Sequence, residues 1–288
     1  MITYNHENYI GQAIEGVLMQ EVDFELELLV SDDCSTDKTW EIIQKLLLSH
    51  PNGSWIKSIR RDRNLGATLN FFTTISACSG DYLAFCEGDD YWTDPFKLSK
   101  QVEFMRINKD YFAVSHHVNK MNFSGEKSLI GKFEKDTFSI KDLKTRFLII
   151  PLSSFFCRNF KTIPSWFYEL YGGDAAITYL SLLNGDLKIL PFVGSVYRIH
   201  SGGIEQNYKR DKYSLPKRNI KEYFLYYNNC ENNLKSFYAK RLSWNYFYLL
   251  LLNLKDFHLF SSFNLLVKST KFYVHFMFLK LLHGQDRN

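Results

Sequence analysis

Apolar residues at Ile10, Ile14, Val17 and Leu18 recur at helical spacing after Asn8, and residues 24–30 then form an extended apolar segment running into Ser31-Asp32-Asp33. That change of period predicts a helix, a strand and a polar loop in that order. Ser35 and Thr36 are cap residues for a following helix whose buried face carries Trp40, Ile43 and Leu47, and Pro51-Asn52-Gly53 ends it. A short strand is predicted at 55–59. Leu65, Leu69, Phe72 and Ile75 then mark a helix that stops near Gly80, and a strand at 82–86 opens directly onto Glu87-Gly88-Asp89-Asp90. Asp94-Pro95 supplies a cap and a first-turn proline for a helix bearing Leu98, Val102 and Met105.

Strands alternating with helices of this length predict an α/β fold with a parallel, helix-covered sheet, in which ligands bind beyond the carboxyl ends of the strands. Asp32-Asp33 and Asp89-Asp90 both fall at such ends. The stretch 112–190 is less regular, with candidate strands at 112–116, 152–157 and 187–197. After Gly203 the composition turns to Tyr, Phe, Leu, Asn and Lys, and 220–227, 244–254 and 272–282 read as helices. Two domains are therefore expected, residues 1–204 and a basic, aromatic-rich helical extension at 205–288. The most apolar helical stretch, 244–254, is shorter than the about 20 residues a bilayer span needs, and Lys255-Asp256 interrupts it. Two readings of the extension stand side by side: helices lying on an anionic lipid surface, or a helical cap packed on the first domain.

A chain of 288 residues with 45% hydrophobic content can bury a sizeable core, which excludes disorder as the default. Its formal charge of +4 hides an uneven distribution: 14 Lys+Arg against 6 Asp+Glu from Glu205 onward, and 21 against 25 before it. Nucleic acid is a poor partner for this basic end, because the charge accompanies long aromatic segments and no nucleic-acid-binding motif is present. Cys34, Cys78, Cys86, Cys157 and Cys230 are odd in number and never at C-x-x-C spacing, so neither a disulfide framework nor a thiolate zinc site is indicated. With no secretory pattern at Met1-Ile2-Thr3, the expected location is cytoplasmic, and peripheral on the inner face of the cell membrane if the helical extension lies on lipid rather than on the first domain.

Glu87, Asp89 and Asp90 suit a divalent cation, which carboxylate oxygens hold and which, as a Lewis acid, stabilises a departing diphosphate. Two adjacent Asp residues alone also read as a solvated turn. The longer string Cys86-Glu87-Gly88-Asp89-Asp90-Tyr91-Trp92-Thr93-Asp94-Pro95, preceded by Ser79-Gly80-Asp81-Tyr82, resembles the metal-site segment of bacterial family 2 glycosyltransferases. Thr3-Tyr4-Asn5-His6 with Tyr9-Ile10 resembles that family's first strand-to-helix loop, Ser31-Asp32-Asp33-Cys34-Ser35-Thr36-Asp37 its nucleotide-base loop, and Asn64-Leu65-Gly66 its donor-side loop. The resemblance covers roughly residues 1–204. It implies a GT-A fold with a Rossmann-like, mostly parallel sheet, and an inverting sugar transfer aided by Mn2+ or Mg2+. The donor would be a nucleotide-sugar, UDP-linked above others, and the acceptor a hydroxyl of a glycan or lipid-linked precursor.

Carried over residue by residue, the resemblance implies Asp33 and Tyr4 at the nucleotide base, Thr3 and Asn64 among the donor-binding residues, Asp89 toward the ribose, and Asp90 on the metal and diphosphate. Gly172-Gly173-Asp174 resembles the segment that carries the general base, making Asp174 the candidate and Glu169 the reserve. Asp174 also reads as the cap of a helix bearing Ile177, Leu180 and Leu183, and Gly173 stands where the family often has a second acidic residue. Tyr197-Arg198-Ile199-His200-Ser201-Gly202-Gly203 resembles a late motif in which the His lies near the metal and diphosphate and the Arg supports the phosphate or acceptor side. Tyr4 equally reads as a core-edge aromatic, and His200 as a structural histidine. The resemblance further implies that only the tail of the family's first strand is present at Met1-Ile2, which would leave neighbouring backbone groups unpaired and apolar faces open. Two other classes stand as alternatives. A nucleotidyltransferase would ordinarily have a Gly-rich, basic triphosphate loop where Asn5-His6-Glu7-Asn8 stands. A non-enzymatic nucleotide- or glycan-binding scaffold would be favoured by the shortened strand.

Overall fold

The computed structural model describes every residue except 131–132, 145–147, 161, 204–210, 257–258 and 285–288; of 259–260, 281 and 283–284 it describes the backbone alone. The chain divides into two units, Met1–Ile140 with Phe147–Ile199, and Lys141–Arg146 with His200–Asn288. The boundary expected after residue 204 falls outside the described residues.

In the first unit, β1 (Ile2–Thr3), β2 (Leu28–Asp32) and β3 (Ile56–Arg60) form a parallel sheet in the order β1-β2-β3. Registers Thr3↔Asp32 and Asp32↔Arg60 bring the carboxyl ends of all three strands level. Helices α1 (Ile10–Leu18), α2 (Thr39–Ser49) and α3 (Ala67–Ser76) follow β1, β2 and β3. The spacing of Ile10, Ile14, Val17 and Leu18 puts all four on one buried face of α1, and each such side chain removed from water contributes about 1.5–3 kcal/mol. The second sheet is built from β4 (Tyr82–Ala84), β5 (Tyr91–Trp92), β6 (Tyr111–Met121), β7 (Lys127–Leu129), β8 (Thr137–Phe138), β9 (Phe156–Arg158) and β10 (Asp186–Arg198). Its path β4-β9-β6-β10-β5 contains one parallel pair, β6 with β10, and the remaining pairs are antiparallel. Helix α4 (Lys97–Ile107) follows β5, and α5 (Gly173–Asn184) precedes β10.

Several local expectations shift. The second strand begins at Leu28 rather than 24 and continues through Asp32. Ser35 and Thr36 do not cap α2: Ser35 Oγ donates to Asp32 Oδ1 and Thr36 N–H donates to Asn5 Oδ1, while Asp37 Oδ1 accepts the Thr39 N–H at 2.9 Å. Loop-to-loop bonds thus outcompete the cap. Residues 152–154, expected in a strand, make a 3-10 turn. Beside the two-residue β1, the Met1 ammonium donates to Leu29 O at 2.7 Å, and Met1 lines a cavity of about 740 Å³ together with Leu26, Leu28, Leu29, Trp55 and Leu83.

The second unit holds α6 (Ser214–Asn229), α7 (Asn232–Lys255) and α8 (Leu259–Gly284). Tyr226 stacks on Tyr238 with ring centres 5.0 Å apart and joins α6 to α7; Tyr246 stacks on Phe272 at 5.9 Å, and Ser269 Oγ donates to Ser243 O, joining α7 to α8. No helix among the described residues is long and apolar enough to cross a membrane.

Candidate active site

The antiparallel register of β5 with β10, Val196↔Tyr91, places Asp90 at the far end of β10. There the Arg198 N–H donates to Asp90 Oδ1 at 3.0 Å, and Arg198 Nη1 donates to Asp89 O at 2.6 Å. Arg198 also donates through Nη2 to Gln12 Oε1 and lies over the Tyr91 ring, 4.3 Å from its centre. The guanidinium therefore holds the backbone of the acidic loop instead of standing free in solvent. Asp90 is almost fully buried. Burial first, then the Asp89 charge, pushes its carboxyl well above the usual carboxylate range, against the opposing pull of Arg198 and a hydrogen bond from Ser153. Glu87 is pushed up for the same reasons, by burial and then by Asp89, Asp90 and Asp174. Four carboxylates thus share one region of the first unit, three from the loop after β4 and one from the first turn of α5.

Gly88 lets this loop sit close to β1. Its N–H donates to Ile2 O at 2.9 Å, and a Cβ on it would lie 2.6 Å from Thr3 Oγ1 and 3.0 Å from His6 Nδ1. Thr3, buried, pairs its Oγ1 with His6 Nδ1 at 3.2 Å, and His6 Nε2 lies 3.8 Å from Asp89 Oδ2. One imidazole nitrogen is set by Thr3 and the other faces a carboxylate. His6 and Asp89 offer ligand atoms near enough to share one cation, and an imidazole beside carboxylate oxygens is a donor set that Mn2+ accepts. The sequence marks His6 only as part of Thr3-Tyr4-Asn5-His6, and its spacing of three residues from Thr3 is the signal for this pairing.

Asp33 is buried, and its carboxylate accepts the Leu65 N–H at 2.8 Å and the Gly66 N–H at 2.9 Å, tying the loop after β2 to residues 64–66. Asn64, exposed, turns its Oδ1 back onto the Gly66 N–H at 3.0 Å, and Tyr4 is exposed at the rim. Asn5 and Cys34 hold left-handed backbone, φ 53° and 64°, where the chain leaves β1 and β2. Asp174 is the second residue of α5, and its Oδ1 accepts the Ala175 N–H at 2.8 Å. A Cβ on Gly173 would lie 2.5 Å from the Phe71 ring, so an acidic residue here would require that ring to move. Glu169 ends a 3-10 turn and is exposed. His200, buried, lies two residues beyond β10. Ser153, in the 3-10 turn at 152–154, and Gln12, on α1, carry no sequence signal, since only tertiary packing brings them to Asp90 and Arg198.

Parallel strands ending level, an acidic loop at a strand end and helices over the sheet make up the α/β architecture of GT-A glycosyltransferases. The family model for glycosyl transferase family 2 matches residues 1–163, and the chain belongs to that family. An uncharacterised Mycobacterium tuberculosis protein, Rv1520, is 34% identical over 209 residues, 70% of this chain and 58% of its own length. The Escherichia coli UDP-Glc:alpha-D-GlcNAc-diphosphoundecaprenol beta-1,3-glucosyltransferase WfaP is 27% identical over 206 residues, 71% of this chain and 77% of its own. Among solved structures, Staphylococcus aureus TarS 1-349 in complex with UDP-GlcNAc aligns with a TM-score of 0.60 at 17% identity, over 84% of this chain and 69% of that one. The mannosyltransferase PcManGT from Pyrobaculum calidifontis, in complex with GDP-Man and Mn2+, aligns with a TM-score of 0.54 at 14% identity, over 100% of this chain and 86% of that one. At such identities the structural likeness is one of fold. The chain spans 58% of the length of the mycobacterial relative.

Proposed function

We propose that this chain transfers a sugar, with inversion, from a nucleotide-sugar, UDP-linked above others, to a hydroxyl of a cell-surface glycan or lipid-linked precursor, using Mn2+ or Mg2+. The observation that carries this reading is the gathering of Glu87, Asp89, Asp90 and Asp174, with Glu87 and Asp90 both held well above the ordinary carboxylate range by burial and mutual repulsion. Carboxylates crowded in this way gain most from a divalent cation, and a nucleotide-sugar donor is supported by a relative named as a UDP-Glc-using glucosyltransferase and by structural neighbours in complex with UDP-GlcNAc and GDP-Man.

In this reading Asp90 and Asp89 hold the cation with His6 and His200. When bound, the cation neutralises charge on the departing diphosphate. Asp33 and Tyr4 meet the nucleotide base, Thr3 and Asn64 line the donor side, and Arg198 keeps the 89–90 segment in place. Asp174 takes the proton of the attacking acceptor hydroxyl.

The test is release of UDP or GDP, according to the donor, from a panel of UDP- and GDP-sugars, with and without manganese, alongside thermal shift. Asp90→Ala should abolish manganese-dependent turnover, and unchanged turnover would remove the metal assignment. Asp174→Asn should keep donor binding while transfer falls at least about a hundredfold, the usual contribution of a general base. Equal transfer would move the base elsewhere, to Glu169 first.

A further inference from the structure

Helices α7 and α8 carry their apolar residues on the outside as well as the inside. On α7, Leu234, Tyr238, Leu242, Leu249 and Leu250 are buried, yet Trp244 is 61% exposed, and Phe247, Tyr248, Leu251 and Leu254 are exposed with it. Spacings of three, four and seven residues put these five on one helix face, and Lys240 and Lys255 fall on the same face. On α8, Phe263 is 73% exposed, and Val267, Val274 and Phe278 repeat that face at helical spacing with Lys271 beside them. Isolated exposed apolar residues need no explanation, but two continuous stripes on packed helices do.

Charge separates the candidate occupants. Helix α7 contains Lys235, Lys240, Arg241 and Lys255, α8 contains Lys268, Lys271 and Lys280, and neither contains an acidic residue. A second copy of the chain docked face to face would set these cations against each other. Neither helix is long and apolar enough to span a bilayer. A surface of anionic phosphates over hydrocarbon suits both halves of the pattern: apolar side chains enter the headgroup–acyl boundary while lysine stems lie along them and end at phosphates.

We propose that the exposed faces of α7 and α8 dock on an anionic lipid bilayer surface, with Trp244, Phe247, Leu251, Phe263, Val274 and Phe278 entering the boundary and Lys255 and Lys271 reaching the headgroups. The inference rests on the helical unit alone and not on the transfer chemistry. The full chain is sedimented with phosphatidylcholine vesicles and with vesicles in which roughly one-third of the lipid is phosphatidylglycerol. It should partition to the anionic vesicles only and be released by salt. Lys255→Gln and Lys271→Gln should each weaken partition about fivefold, and Trp244→Ser with Phe247→Ser should weaken it at least about tenfold. These positions are exposed, so the variants should keep the thermal transition of the unaltered chain. Equal partition to both vesicle types, partition to neither, or a dimer of the unaltered chain in solution that Trp244→Ser with Phe247→Ser dissolves would each overturn the proposal. The comparison of vesicle types uses the unaltered chain and stands whether or not a variant folds.

Discussion

Gly88→Ala tests how tightly the acidic loop is held against β1. The added Cβ would lie 2.6 Å from Thr3 Oγ1, 2.7 Å from Thr3 Cβ and 3.0 Å from His6 Nδ1, whereas carbon atoms rest about 3.5–4.0 Å apart. Thr3 cannot retreat, because its carbonyl accepts the Asp33 N–H at 2.9 Å and the preceding Ile2 carbonyl accepts the Gly88 N–H itself. Relief must come from the loop, which would carry Asp89 away from His6. Overpacking of this kind costs about 2 kcal/mol, which for a unit of this size lowers the melting temperature by roughly 4–8 °C. Thermal unfolding of the single variants and of Gly88→Ala combined with Thr3→Gly forms a double-mutant cycle. Removing both Thr3 atoms should make the alanine cost less than about half as much on the Thr3→Gly background. Manganese-dependent turnover should fall with Gly88→Ala and stay low in the double variant, which lacks the Thr3 hydroxyl. An unchanged melting temperature for Gly88→Ala, or equal cost on both backgrounds, would refute the close approach.

Asp33→Ala should leave the part-buried Leu65 N–H without its acceptor, while the Gly66 N–H keeps Asn64 Oδ1, at about 1–3 kcal/mol in urea unfolding; Asp33→Asn, which keeps an acceptor oxygen, should cost roughly half as much. Lys97 is fully buried, 3.8 Å from the centre of the Trp92 ring, and its Nζ donates to Gln101 Oε1 at 2.9 Å; burial brings its ammonium down to about 7. Between that pH and the ordinary lysine range near 10.5 the unfolded chain binds more protons than the folded one, so stability contributed by this group rises with pH and is lost as pH falls through about 7. Lys97→Met should flatten the rise between pH 7 and pH 10 and stabilise the chain at pH 6, as melting temperatures across that range would report.

Local patterning carried much of this molecule. The helical spacing of Ile10, Ile14, Val17 and Leu18, the strand before Glu87 and the apolar runs after Gly203 appear as α1, β4 and the helices α6 to α8, because a side chain's face follows directly from the period of its element. The acidic strand end and the four ordered motifs were also legible, and with them the family to which the chain belongs. Long-range partners were not. Nothing in the sequence pairs Asp90 with Arg198 across 108 positions; the β5–β10 register does. Ser35 reads as a helix cap until Asp32 and Asn5 are found beside it, and the ties of Asp33 to the Leu65 and Gly66 amides appear only once the chain is folded. Gly88 and Gly173 are unremarkable letters, and only packing against Thr3 and Phe71 crowds a side chain there. The sequence by itself determined which residues could do this chemistry. The tertiary structure decided which are already bonded, which carboxylates share a site and which apolar faces of the helices are left outside, because those depend on strand register and helix docking rather than on neighbours in the chain.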